Sequence, residues 1–183
     1  SVVANTIDEL NHQSDVLDMM GFSQDFNTPL TLHLSCSPKF NLESIDCFVS
    51  RFFRNLSKCN PGVQSRLVLE NEDKGYWNCD TLHSSFGDFI PLVYDNLHDL
   101  CNPCEVPTET ILSKFKTSWF GFTPIFHWSE GINGTNKHAA RSSHIPKVVL
   151  DNSDCVWEVE LKDKDIAILE ILNSIDLILN ELF

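Results

Sequence analysis

Between residues 41 and 56, Leu42, Ile45, Phe48, Val49, Phe52, Phe53 and Leu56 recur at the three- and four-residue spacing that lines one face of an α-helix. Asn41 stands ahead of them as N-cap, and Asn60-Pro61-Gly62 ends the run by residue 58. Strand character flanks this helix on both sides. Leu30-Thr31-Leu32-His33-Leu34-Ser35 alternates apolar and polar residues, which puts His33 on a solvent face, and Val63 to Glu70 reads as a second strand. A strand-helix-strand unit needs a sheet under its apolar helix, so the chain is α+β or α/β.

At 183 residues the chain has the length of about one domain, and no internal repeat divides it. The expectation is one mixed sheet of about five or six strands with flanking helices, two of them at 41–58 and 164–182. Residues 1–27 form an acidic N-terminal segment carrying Asp8, Glu9, Asp15, Asp18 and Asp25, with a helix over 3–20 and Gly21 as its stop. Residues 28–183 form the globular domain, including a mobile basic loop at 129–146 rich in Gly, Asn and Ser. Lys147 to Asp151 and Cys155 to Leu161 read as a hairpin closed at Asn152-Ser153. The chain starts without Met and still reads as helix at its last residues, as a piece of a larger protein would.

Charge and cysteines narrow the function classes. Lys and Arg number 13 against 26 Asp and Glu, and a net charge of -13 repels polyanions, which argues against nucleic acid as a partner. Seven cysteines, an odd number in a chain that needs no staple, fit a reducing compartment, hence an intracellular protein of nucleus or cytoplasm. No apolar stretch is long enough for a membrane span. The phosphate-loop, dinucleotide, zincin and nucleophile-elbow motifs are absent.

Two constellations carry candidate chemistry. Cys79-x3-His83 and His98-x2-Cys101-x2-Cys104 offer thiolates and imidazoles for a structural zinc site. Asp151 followed by Glu158, Glu160 and Lys162 sets carboxylates and a lysine across the expected hairpin, where they can hold magnesium. Over about a dozen residues this string resembles the PD-(D/E)XK nuclease motif, without its Pro-Asp pair. The resemblance implies a metal-dependent hydrolase, or its inactive descendant, built on those four residues.

The leading reading is instead a non-enzymatic protein-protein interaction domain without a cofactor. Trp119, Phe120, Phe122, Phe126 and Trp128 are dense enough on one expected edge strand to anchor another protein. Ile175 marks a second docking face on the C-terminal helix, and Lys137 and Arg141 offer basic contacts in the loop.

Overall fold

The computed structural model describes residues 1–38, 42–142 and 144–182, with side chains through Asn173. Helix α1, Val2–Met19, leads into strand β1, Leu30–His33. Helix α2, Ile45–Leu56, is capped by Ser44, whose hydroxyl accepts the Cys47 amide. The expected cap Asn41 lies outside the described residues, and Leu42 is exposed because the helix begins only at Ile45. The Phe48 side chain is buried, and Val49, Phe52, Phe53 and Leu56 pack beside it as their spacing requires.

The second strand is shorter than the expected span from Val63 to Glu70. Asn60 caps a turn of helix, α3 at Pro61–Arg66, by accepting the Val63 amide, and Pro61 occupies the first helical position. Strand β2 is therefore Leu67–Glu70, wholly buried. Then come α4 (Cys79–Phe86, capped by Asn78), β3 (Leu92–Val93), α5 (Asn96–Cys101, capped by Asp95) and α6 (Thr108–Thr117). The chain ends with β4 (Ile125–Trp128), a 3-10 turn (Ile132–Gly134), α7 (Lys147–Asp151), β5 (Val156–Val159) and α8 (Lys164–Leu182).

The architecture is α+β, but a single mixed sheet of five or six strands is not what forms. Among the described residues, β1, β2 and β3 make one parallel sheet and β4 and β5 another, linked by a bridge between Asp95 and His127. Strand β3 is two residues long, too short to carry a continuous ladder to β4. The expected hairpin at 147–161 is also corrected. Pro146 caps α7, Lys147 pairs with Asp151 one turn on, and β5 finds a parallel partner in β4.

The region from Trp119 to Trp128 is not one edge strand. Its first part turns through Phe120 and Gly121, and Pro124 stays outside β4, where its carbonyl accepts the Val156 amide. The 129–146 loop folds back on itself: the Ala139 amide donates to Glu130, and the amides of Lys162 and Asp163 donate to Ala139 and Ala140. Because every described strand is parallel, their carboxyl ends share one rim, where sheets of this kind collect functional groups.

Candidate metal centre

Strand register builds the site. His33 pairs with Glu70 across β1 and β2, and Glu70 with Val93 across β2 and β3. Asp95 lies two residues after Val93 and bridges to His127, which pairs with Glu158 across β4 and β5. Alternation along each strand puts all of these on one face, with Glu160 two residues beyond Glu158.

Glu70 is the hub and is 1% exposed. Its carboxylate lies 3.1 Å from His33 Nε2, 3.2 Å from His98 Nδ1 and 3.1 Å from His127 Nδ1. His127 also reaches Glu158 through Nε2 at 3.3 Å and Glu160 through Nδ1 at 3.4 Å. The refolded loop delivers His138, whose Nδ1 donates to the Glu160 carbonyl at 3.0 Å.

Polar neighbours lock this set. Asn71 Oδ1 accepts the Asp95 amide at 2.8 Å, Asn71 Nδ2 donates to the Asp95 carbonyl at 3.2 Å, and the Asn71 carbonyl accepts His98 Nδ1 at 2.8 Å. The Asp95 carboxylate accepts the His98 amide and the Ser129 hydroxyl, and Asn96 in turn holds the Ser129 backbone.

The charges are strongly coupled. The carboxylates of Glu70 and then Glu72 beside it raise the His33 pKa to about 10. Burial opposes charge on His98 and His127. Glu70 outweighs it at His98, as Glu158 and Glu70 do at His127, leaving these pKa values at about 9 and about 10. Burial would raise the Glu70 pKa, but the three imidazoles hold it well below the usual carboxylate range.

Even so, Glu70 Oε1, Glu72 Oε1 and both His127 ring nitrogens are buried with no aligned hydrogen-bond partner. Imidazoles and carboxylates that converge without aligned partners suit a cation, whose binding would displace the imidazole protons. Two groups bring their ligand atoms within 4.8 Å of one another, His33-Glu70-His98 and Glu70-Asp95-His127, and Glu70 belongs to both. Mixed imidazole and carboxylate donors favour zinc or manganese over magnesium.

The residues expected from sequence divide differently. Glu158 and Glu160 join the cluster, whereas Asp151 pairs with Lys147 on α7, and Lys162 is exposed with its amide bonded to Ala139. Of the expected zinc set only His98 enters a ligand group. Cys79 donates to Asp99, Cys104 to the Val106 carbonyl, His83 stacks on Phe115, and Cys101 belongs to neither group.

Trp119, Phe126 and Trp128 are buried and cannot anchor a partner; the Trp119 indole donates to the Leu92 carbonyl. Phe120 is exposed, Phe122 packs edge-on against Phe26, Lys137 is exposed, and Arg141 pairs with Asp163 and Glu170. The Ile175 side chain lies outside the described set.

Sequence reasoning missed Glu70, Asp95, His127 and His138; it put His33 toward solvent, and the ring is exposed as expected, but its contact with Glu70 was not foreseen. The available signal was a His or an acid at or just beyond the carboxyl end of each successive apolar strand.

Comparison with known proteins points the same way. Residues 1–181 match the family described as UV-endonuclease UvdE. A UV DNA damage endonuclease of Bacillus cereus (strain Q1) is 27% identical over 186 residues, which cover 95% of this chain and 56% of that protein. Its counterpart in Bacillus anthracis (strain A0248) is 25% identical with the same coverage. The solved structure described as "Crystal Structure of SacUVDE" superposes with a TM-score of 0.78 at 25% identity, covering 97% of this chain and 60% of that one. The chain thus spans little more than half the length of the proteins it resembles.

Proposed function

Since the chain belongs to the UV-endonuclease UvdE family, we propose that it carries the cation-binding rim of an endonuclease that hydrolyses a phosphodiester bond in damaged DNA. Membership overturns the expectation of a non-enzymatic interaction domain or scaffold. It also overturns the argument from charge against nucleic acid. Glu70, Glu72, Asp95, Glu158 and Glu160 all count toward the negative balance, yet they converge on the imidazoles of one site, where bound cations would offset them. The expected hydrolase alternative was nearer, although its Asp151 and Lys162 stand outside the cluster.

The observation that carries the reading is the pair of ligand groups sharing Glu70. A bound divalent ion supplies Lewis acidity toward a phosphoryl oxygen and lowers the pKa of a coordinated water. The protein's part is placement. Glu70 faces both groups, Asn71 and Ser129 fix Asp95, and Glu158 faces His127 Nε2, which leaves Nδ1 turned toward Glu70. His127 in turn holds the Glu158 carboxyl below its usual range, so Glu158 is ionised at neutral pH.

All seven cysteines are free thiols, which supports a reducing, intracellular setting, and the Bacillus relatives give no support to a nucleus. Among the described residues no helix is long and apolar enough to cross a membrane. The test is incubation of the purified protein with UV-irradiated and unirradiated duplex DNA across zinc, manganese and magnesium. Cation-dependent nicking of the irradiated strand that vanishes in Glu70→Gln supports the reading; no nicking with any cation contradicts it.

A further inference from the structure

Glu72 lies outside both ligand groups, yet it is built toward the site. Its amide donates to the Trp77 carbonyl at 2.8 Å, and its carbonyl accepts Asn102 Nδ2 at 3.2 Å, so its backbone is pinned from two sides. Its side chain is 15% exposed, and Oε1 is buried without an aligned hydrogen-bond partner. That oxygen faces His33 Nδ1 at 3.6 Å, while the opposite ring nitrogen, Nε2, faces Glu70 at 3.1 Å. His33 is thus held between an inner carboxylate, shared by both ligand groups, and an outer one that belongs to neither.

We infer that Glu72 is the positioning residue for His33: it draws the ring proton to Nδ1 and leaves the Nε2 lone pair aimed at a cation beside Glu70. Imidazole ligands commonly direct their other N–H at a carboxylate, which fixes the tautomer and raises the basicity of the ligating nitrogen; at 3.6 Å Glu72 is an ion-pair partner of Nδ1, and a small ring rotation on cation binding would close it to a hydrogen bond. Glu158 stands in the same relation to His127, facing Nε2 at 3.3 Å while Nδ1 faces Glu70. The two pairs differ in enclosure: Glu72 is 15% exposed and Glu158 57%, with the Glu72 contact the longer of the two. The inference rests on the metal reading above and goes beyond it in giving a role to a residue that holds no ion.

The test is titration of the purified chain with Mn²⁺ by calorimetry, in wild type, Glu72→Gln, His33→Ala and the double variant. Glu72→Gln keeps shape and removes charge. It is expected to weaken Mn²⁺ binding about 10- to 100-fold while the melting temperature of the chelator-treated protein stays near that of wild type. Because Glu72 acts through His33, it should cost nothing further in the His33→Ala background.

Additive losses in the double variant would mean that Glu72 acts independently of His33 and would overturn the inference, as would wild-type affinity in Glu72→Gln. If Glu72→Gln does not fold, Glu72→Asp, which draws the charge back by one methylene, carries the same expectation. Failure of the wild-type chain to bind Mn²⁺ would defeat the metal reading and this inference together; binding that is indifferent to Glu72 defeats only this inference.

Discussion

The molecule buries charge in two places and treats it in opposite ways. Arg66, fully enclosed at the end of α3, spends its guanidinium on the carbonyls of Ser14, Phe22 and Ser23, the hydroxyls of Ser14 and Thr28, and the carboxylate of Asp18. At the strand rim, Glu70 and His127 are as deeply buried but keep misaligned, unpartnered atoms. A satisfied knot stabilises the fold, here by tying α1 and the loop after it to α3. An unsatisfied cluster is retained where something else completes it.

The contrast can be broken most forcefully at Arg66. Arg66→Ala should lose about 3–5 kcal/mol of unfolding free energy, the cost of dismantling a buried charged network, and urea midpoints should show that loss equally with and without divalent cation. The rim should behave the other way. At a hundredfold excess over its dissociation constant, Mn²⁺ should add about 2.7 kcal/mol to the wild type and nothing to Glu70→Gln. A cation that stabilised Glu70→Gln would place binding elsewhere.

A smaller effect sharpens the knot. A β-carbon on Gly62 would run into Ser14 Oγ, which is buried and already bonded to Arg66. Gly62→Ala should therefore cost about 1–3 kcal/mol, read from the same denaturation curves.

The smallest expected effect is acidic. The guanidinium of Arg66 beside Asp18 holds that carboxyl below its ordinary range. A carboxyl whose pKa falls on folding contributes stability above its unfolded value and loses it as pH drops through the folded one. Below the ordinary aspartate range α1 should loosen first, seen as faster amide exchange in α1 than in β2, and Asp18→Asn should remove that step.

Local features were readable in the sequence and pairings were not. The apolar spacing of Phe48, Val49, Phe52, Phe53 and Leu56 announced α2, and the alternation through Leu30 and Leu32 announced β1, because both signals are periodic over a few residues. Val63 to Arg66 misled because the Asn60-Pro61 start folds that stretch into a turn of helix ahead of the strand. The hairpin at 147–161 misled because partner choice depends on a strand elsewhere in the chain.

The site suffered most from this limit. His33, Glu70, Asp95, His127 and Glu158 come from five separate segments, and each is unremarkable in its own window. Only parallel register brings them onto one face. Glu158 and Glu160 were found because they lie two residues apart at the end of one strand, whereas the cysteine spacing drew attention to thiols that turn to Asp99 and Val106 instead.

Whether Glu70 is shared by two cation sites is tested directly by anomalous diffraction from crystals soaked in Mn²⁺. Two peaks are expected, one among His33, Glu70 and His98 and the other among Glu70, Asp95 and His127. Peaks confined to Cys79 and Cys104, or no peak at the rim, would contradict that sharing.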